Sequence, residues 1–227
     1  MLSQEEIKKM VGAAAIDLVQ PGMTLGVGTG STVYWFIMAL AEKVKNGLEC
    51  KAVPTSKQTE ALARQHNIPL VQLNDVEHIA LTIDGADEIA PGLQLIKGGG
   101  GALLQEKMVA AASERLVIIG DHTKVVPQLG WFPLPVEVVP YGWKQVARHI
   151  HALCNIEIIL RMKDGQPFVT DHGHYILDCH WGRIADAPAL GLLLNSIPGV
   201  VENGLFIQMA QLALVGYPDG RLDPITA

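Results

Sequence analysis

Three glycine-bearing segments each follow a short apolar run of the kind that forms a buried β-strand. They are LGVGTGST at 25–32, LTIDGADE at 81–88 and LIKGGGGA at 95–102. Together they offer backbone amides, hydroxyls, carboxylates and one ammonium group. In an open α/β sheet the carboxyl ends of parallel strands meet at one edge, and ligands bind there. We therefore expect a single small ligand that carries an anionic group and several hydroxyls.

The first segment is suited to binding an anion. Glycine lets the backbone turn sharply and approach a ligand closely, and the first amides of the following helix attract negative charge. The residues that supply these amides and hydroxyls are Thr29, Gly30, Ser31 and Thr32. The alternative is a tight turn in which Ser or Thr only caps the helix. The segment matches neither the dinucleotide fingerprint, whose third glycine is replaced by Ser31, nor a P-loop, since no lysine follows Gly30.

The second segment places carboxylates just beyond a predicted central strand at 79–83. Carboxylates accept hydrogen bonds from sugar hydroxyls, and a partly desolvated carboxylate can transfer protons. Asp84 and Asp87 are the candidates, with Gly85 and Ala86 between them in contact with the ligand. The alternatives are an Asx-type turn with solvated acids and a metal site. Because no histidine lies nearby in sequence, we expect no metal ion, and we expect no cofactor.

The third segment contains four consecutive glycines after Lys97. Such a run has a large conformational-entropy cost, and it lies between a strand and a good helix, which argues against a flexible linker. The amides of Gly98, Gly99 and Gly100 can form a nest for an oxyanion, and Lys97 adds a positive charge. Glu106, early in the following helix, faces the same edge. Its alternative role is to stabilise the positive end of the helix dipole.

Lysines and histidines elsewhere in the chain carry weaker signals. Lys8 and Lys124 are isolated cations, and a solvated surface position is the ordinary alternative for each. The pair His149 and His151 lies on a predicted helix, where residues two apart point in different directions. The turn at 172–174 also carries two histidines. We interpret these histidines as structural and expect no metal site there.

The hydrophobic pattern of the first half predicts a Rossmann-like α/β fold. Helices are expected at 3–19, 32–45, 57–66 and 102–113, and strands at 23–28, 51–55, 69–71, 79–83, 93–96 and 115–120. Strands that alternate with helices indicate a parallel sheet with helices on both faces. The first helix begins with the capping-box pattern Ser3 to Glu6.

The pattern changes near Trp131, where a proline-punctuated segment begins. Helices are expected at 143–153 and 187–195, and strands at 136–139, 156–160 and near 200, with a hairpin formed by 167–170 and 175–179. This βαββαβ order predicts a smaller inserted α+β domain of the ferredoxin-like type. We expect the α/β catalytic domain to comprise 1–131 and 204–227, and the small α+β domain to comprise 132–203.

Composition excludes several classes of partner. The chain has 227 residues and a net charge of −6, which argues against nucleic acid and anionic membranes. Its three cysteines are widely separated and form no CxxC pair, as expected in a reducing cytoplasm. We find no pattern typical of a signal peptide and no apolar run of about 18 residues. The chain is therefore expected to be cytoplasmic.

Taken together, these segments resemble those of the A-type ribose-5-phosphate isomerases. The similar segments are GVGTGST at 26–32, DGADE at 84–88, KGGGGAL at 97–103, FPLPVEV at 132–138 and IPGVV at 197–201. Their order and spacing also match, and the resemblance covers essentially the whole chain. One departure is Gln105, which stands where a basic or hydroxyl residue is more usual.

The resemblance implies interconversion of D-ribose 5-phosphate and D-ribulose 5-phosphate in the non-oxidative pentose phosphate pathway, without a metal. The reaction moves a proton between C2 and C1 through a cis-enediolate. By resemblance, Glu106 is the base. Lys97 and the amides of Gly98 to Gly100 stabilise the enediolate. Asp84 and Asp87 hold sugar hydroxyls, Asp84 with a further part in ring opening. The loop at 29–32 binds the phosphate or nearby hydroxyls, and Lys8 and Lys124 contribute to this binding. The family also implies a homodimer or a dimer of dimers.

Other function classes share parts of this pattern. Sugar-phosphate-sensing domains of transcription regulators begin with a similar strand, loop and helix, and they bind without catalysis. They need a DNA-binding domain, whereas only about 22 residues precede the first strand here, and the chain is acidic. Amino-sugar-phosphate isomerases and deaminases would use other catalytic loops. Acyl-CoA transfer would need a CoA site, of which the sequence gives no sign.

Overall fold

The structure of the protein is a computed structural model that describes residues 1–226. In chain order, its first half contains α1 (Gln4–Ala15), β1 (Thr24–Val27), α2 (Ser31–Lys45), β2 (Lys51–Pro54), α3 (Lys57–Gln65), β3 (Leu81–Asp84), β4 (Glu88–Ala90), β5 (Gln94–Ile96), α4 (Leu103–Ala111) and β6 (Leu116–Asp121). The second half contains β7 (Leu134–Val138), α5 (Trp143–Cys154), β8 (Glu157–Leu160), β9 (Met162–Lys163), β10 (Gln166–Pro167), β11 (Tyr175–His180), α6 (Ala187–Asn195), β12 (Val200–Asn203), β13 (Leu205–Phe206), β14 (Ala210–Gly216) and β15 (Leu222–Thr226). Short 3₁₀ helices occur at 16–18, 73–75, 91–93 and 122–124.

The main sheet confirms the predicted α/β class. Its six strands follow the order β15-β14-β6-β3-β1-β2, and all neighbours are parallel except the edge strand β15. Consecutive side chains of a strand point to opposite faces. In β6, Val117 and Ile119 pack in the cluster that contains α1 and α2 side chains, whereas Leu116 and Ile118 pack with Ala110 of α4. Helices therefore cover both faces of this sheet.

A second sheet is built from strands between residues 134 and 203. Its order is β12-β7-β11-β8, and every pair is antiparallel. Val146 and Ile150 of α5, with Leu190 and Leu194 of α6, share one hydrophobic cluster with the strands. The arrangement is the βαββαβ order that the sequence predicts, closed as a four-stranded antiparallel sheet.

Two local predictions are wrong, and one confirmed strand lies outside the main sheet. Segments 167–170 and 175–179 do not pair with each other, because β11 has β7 on one edge and β8 on the other, and Gln166–Pro167 pairs with Met162–Lys163 instead. Residues 69–71 form only an isolated bridge between Leu70 and Ala52. The strand expected at 93–96 lies outside the main sheet, in a small antiparallel sheet of order β13-β5-β4.

The first helix begins as its sequence predicts. The Ser3 side chain accepts the amide of Glu6, and the Glu6 carboxylate accepts the amide of Ser3 at 2.8 Å. This capping box satisfies two amides that the first turn would leave without partners. Within residues 1–226, no helix has the length and apolar character that crossing a bilayer requires.

Candidate active site

The first two segments meet where β1 and β3 end side by side. Val27 pairs with Ile83, and the amide of Thr29 then donates to Asp84 Oδ1 at 3.1 Å. Gly28 makes this approach possible, since a Cβ atom there would lie 2.0 Å from Asp84 Oδ1 and 2.7 Å from Asp84 Cα. The Asp84 backbone cannot move away without disturbing a central strand. The glycine therefore allows the loop at 29–32 and the Asp84 carboxylate to lie against each other.

The third segment crosses in front of them as a tight glycine turn. Gly98 and Gly101 have φ values of 109° and 82°, in the left-handed region that favours glycine, and the amide of Gly101 donates to Gly98 O at 2.9 Å. The amide of Gly99 donates to Asp87 Oδ2 at 2.7 Å. A Cβ on Gly99 would lie 2.6 Å from Asp87 Oδ1, so this contact also needs glycine.

Lys97 is the centre of a buried charge cluster. Its Nζ lies 3.0 Å from Asp84 Oδ2 and 3.3 Å from Glu106 Oε1, and it donates to Gly85 O at 2.6 Å. Lys97, Asp84 and Glu106 are only 2%, 1% and 5% exposed. One ammonium thus faces two carboxyl groups, so the cluster carries an excess negative charge when both are ionised.

Protonation of Glu106 removes this excess negative charge. Burial, followed by the charge of Asp84, raises its pKa to about 8, although Lys97 acts in the opposite direction. Burial lowers the pKa of Lys97, but the charges of Asp84 and Glu106 outweigh it and raise the Lys97 pKa overall. Within the described residues, Glu106 Oε2 is buried without a hydrogen-bond partner. A carboxyl group that has one oxygen without a partner and a pKa near neutrality can accept and return a proton.

These groups line one cavity of about 160 Å³. Nearly all of the residues that the sequence singles out contribute to its wall, namely Lys8, Thr29, Gly30, Ser31, Thr32, Gly85, Ala86, Asp87, Lys97, Gly98, Gly99, Gly100, Glu106 and Lys124. Asp84 lies behind the wall rather than in it. Its Oδ1 accepts amides from Thr29 and Gly85, and its Oδ2 faces Lys97, so both of its oxygens are engaged by the protein.

The hydroxyl of Thr29 is turned into a cluster of hydroxyls at the end of β2. Thr29 Oγ1 lies 2.9 Å from Thr55 Oγ1 and 2.8 Å from Ser56 Oγ, and Thr59 Oγ1 donates to Gly28 O at 2.7 Å. The Thr29 side chain therefore holds the loop in place. Thr29 also forms part of the cavity wall. No sequence signal identifies this cluster, because Thr29 lies 26 to 30 residues away in the chain from Thr55, Ser56 and Thr59.

Two further residues escaped the sequence prediction. Gln4 lines the cavity and its Nε2 donates to Asp121 Oδ2 at 3.4 Å, yet a glutamine at a helix start is usually solvated. Arg161 lies beyond the cavity and donates to the glycine turn at Gly98 O and Gly99 O. Among residues 1–226, no three His, Cys, Asp or Glu side chains are grouped so that they could hold a metal ion.

Comparisons with known proteins point to one family. A family model described as ribose 5-phosphate isomerase A (phosphoriboisomerase A) matches residues 51–220. Ribose-5-phosphate isomerase A of Bacillus mycoides (strain KBAB4) is 51% identical over 215 residues, which cover 94% of this chain and 97% of the relative.

Solved structures give the same result. A D-ribose-5-phosphate isomerase in complex with phospho-erythronic acid is 37% identical, with a TM-score of 0.95 and full coverage of both chains, 100% in each case. Ribose 5-phosphate isomerase A from Methanocaldococcus jannaschii is 38% identical, with a TM-score of 0.94 over 99% of this chain and 100% of that one. The chain therefore belongs to the ribose-5-phosphate isomerase A family.

Proposed function

We propose that this chain interconverts D-ribose 5-phosphate and D-ribulose 5-phosphate by moving one proton between C2 and C1. The observation that carries the proposal is the unpartnered Oε2 of Glu106, buried beside Lys97 in a cavity whose wall also includes glycines, hydroxyl-bearing residues, Asp87 and two further lysines. A proton transfer between adjacent carbons needs one base that reaches both and a positive site for the oxyanion that develops.

Glu106 is the base in this mechanism. Its carboxylate takes the C2 proton of the open-chain aldose, and the electron pair moves into a cis-enediolate whose negative charge resides on oxygen. The same carboxyl group then returns that proton to C1, while the proton of the C2 hydroxyl passes from O2 to O1, which yields the ketose. Its Oε1 stays held by Lys97 at 3.3 Å, while Oε2 remains the proton-transferring oxygen. Since a catalytic group works best with a pKa near the operating pH, the raised pKa of Glu106 suits this task.

Lys97 and the glycine turn stabilise the enediolate. Lys97 is fully ionised because its pKa is raised by Asp84 and Glu106 despite its burial, and a fixed charge in a dry site acts strongly on a developing oxyanion. We assign to Asp84 the positioning of Lys97; its predicted contacts with sugar hydroxyls and its predicted part in ring opening are not assigned, because both of its oxygens are engaged by the protein. Asp87 lines the cavity, and we assign to it the sugar hydroxyls.

The phosphate is assigned to the start of α2. Ser31 and Thr32 belong to the first turn of this helix, whose cap residue Gly30 has a φ of 129°, and helix N-termini attract phosphate. Lys8 and Lys124 line the same cavity. Both lysines come from elements far apart in sequence, so their convergence on one wall favours phosphate binding over the solvated alternative.

We expect Lys124→Ala and Lys8→Ala to act on substrate binding. Each should raise the KM for ribose 5-phosphate about tenfold or more, since a hydrogen bond to a charged group contributes about 1.5–3 kcal/mol, with little change in kcat. Steady-state kinetics of both variants test this, with Lys45→Ala at the exposed end of α2 as a control. A loss confined to kcat would contradict the phosphate assignment.

The pH profile of kcat/KM provides an independent check on Glu106. Its pKa is raised to about 8 by burial and by Asp84, and only the ionised carboxylate can accept the C2 proton. We therefore expect kcat/KM to rise with pH and to level off above about 8. A rate that has already levelled off just above pH 4.5, the ordinary value for this carboxyl, would contradict the assignment of Glu106 as the titrating base.

An isomerase assay in the presence of a chelator tests the proposed function directly. Purified protein with ribose 5-phosphate and EDTA is expected to form ribulose 5-phosphate at the same rate as without EDTA. Binding of the sugar phosphate without turnover would instead favour a regulatory binding module. Loss of activity with the chelator would contradict the metal-free mechanism.

The homodimer or dimer of dimers and the cytoplasmic location remain predictions, which sedimentation analysis and cell fractionation test.

A further inference from the structure

We propose that Arg161 is a positioning residue of the active site, which fixes the glycine turn and strengthens the amide of Gly100 as a donor to the enediolate. This inference rests on the proposed function, because it assumes that the turn faces the reacting atoms. Arg161 follows β8 and lies outside the cavity wall. Its NH1 donates to Gly98 O at 2.8 Å and to Gly99 O at 3.1 Å.

The other edge of the same guanidinium group is held by a carboxylate. Arg161 Nε donates to Asp178 Oδ2 at 2.9 Å, and NH2 donates to Asp178 Oδ1 at 2.5 Å. Asp178 belongs to β11, in the middle of the second sheet. The two side chains are 15% and 20% exposed. A planar fork with five donors can serve a carboxylate and two carbonyls at once, which an ammonium group cannot do.

The two carbonyls are chemically significant because of the peptide groups to which they belong. The carbonyl of Gly98 shares a peptide group with the amide of Gly99, and that of Gly99 shares one with the amide of Gly100. A positive donor on a carbonyl oxygen polarises the group and makes its N–H a stronger donor. The Gly99 amide is already committed to Asp87 Oδ2. Gly100 lines the cavity, so its amide is the one through which Arg161 acts on the ligand.

The backbone and ring around Arg161 hold it in this position. Its amide donates to Ile176 O at 2.8 Å, and its carbonyl accepts the amide of Phe168 at 2.9 Å. The Phe168 ring lies against the turn, since a Cβ on Gly101 would be 2.4 Å from it, and the guanidinium carbon lies 6.0 Å from the ring centroid. Strands of the second sheet thereby set the position of a turn that completes the site on the main sheet.

The test compares Arg161→Lys with wild type in turnover and in inhibitor affinity. Lysine keeps the charge but loses the fork. We expect kcat to fall about 10- to 100-fold, which does not exceed the loss caused by removing a direct oxyanion donor. The KM for ribose 5-phosphate should be nearly unchanged. Affinity for phospho-erythronic acid, the ligand in the solved relative, should fall in parallel with kcat. Arg64→Lys serves as the matched control, because Arg64 is an exposed arginine that is also paired with a carboxylate, that of Glu60.

A rescue experiment separates positioning from mere folding support. Arg161→Ala leaves space beside Asp178, and added guanidinium ion is expected to restore part of its kcat, whereas added ammonium ion restores none. Thermal unfolding of each variant reports on the fold; if Arg161→Ala is unfolded, Arg161→Lys carries the test. Wild-type kcat in a folded Arg161→Lys, or equal rescue by both ions, would overturn the proposal. An inactive wild type would instead overturn the proposed function and this inference with it.

Discussion

Glu106→Gln is expected to lower kcat by a factor of about 10²–10⁴ or more, the range for loss of a general base, while the protein stays folded. Glutamine has nearly the same shape, so its carbonyl can still accept Lys97 where Oε1 now lies 3.3 Å away, but it cannot take the C2 proton. The KM for ribose 5-phosphate should change little. Steady-state kinetics with thermal unfolding in parallel measure both quantities.

Glu202→Gln is a suitable control for this variant. Glu202 also pairs with a lysine, Lys107, at 2.9 Å, but it lies outside the cavity wall. Its replacement should cost some stability and leave kcat close to wild type. Near-normal turnover in Glu106→Gln would contradict the assignment of the base, because no other cavity carboxylate combines burial with an unpartnered oxygen among the described residues.

Lys97→Met is expected to reduce kcat strongly and to destabilise the fold as well. Removal of the ammonium leaves Asp84 and Glu106 buried without their cation, and breaking such a group costs about 3–5 kcal/mol. The kcat should fall more than the KM rises, since the charge interacts most strongly with the enediolate. Kinetics and denaturant unfolding of the variant at several pH values measure these effects.

The pH dependence of stability in Lys97→Met has a definite sign. Without the ammonium, the pKa of Glu106 is raised further above its ordinary value, because burial and Asp84 already raise it and Lys97 alone opposed them. The native state then holds a proton that the unfolded state has released, so stability falls as pH rises. Lys107→Met, which loses a half-buried lysine bonded to Glu202 and to Asn203 O, should be destabilised but active. Unchanged kcat in Lys97→Met would contradict its role.

The parts of the fold that the sequence predicts are those governed by local pattern. Three features follow from nearby residues: the capping box at Ser3, the buried strand before Asp84, and the alternation of strands and helices. Strand pairing depends on distant partners. The segment at 93–96 reads as a strand in either sheet, and only its pairing with Leu205–Phe206 and Glu88–Ala90 places it outside the main one. The hairpin predicted at 167–179 is absent for the same reason, because distant strands β7 and β8 pair with both edges of β11.

The site shows the same division between local and distant information. Lys97 is recognisable from the glycine run that follows it, whereas the position of Glu106 near a helix start leaves the helix-dipole alternative open, and only the resemblance assigns it as the base. The burial of Asp84 behind the cavity wall is not visible in its sequence neighbourhood, as it depends on amides from Thr29 and Gly85. Arg161 gave no signal at all, because its partners lie 62 and 63 residues away in the turn. Residues that act from a second sheet cannot be identified without the tertiary structure.

The most direct test of the central claim is exchange of the C2 proton of ribose 5-phosphate with solvent, followed by NMR in D₂O. This measurement isolates proton abstraction from the later steps. We expect wild type to catalyse both C2 exchange and isomerisation in the presence of EDTA, and Glu106→Gln to lose both by similar factors while it still binds the sugar phosphate. Exchange at the wild-type rate in Glu106→Gln would show that another group removes the proton, and would contradict the mechanism in which Glu106 is the single base.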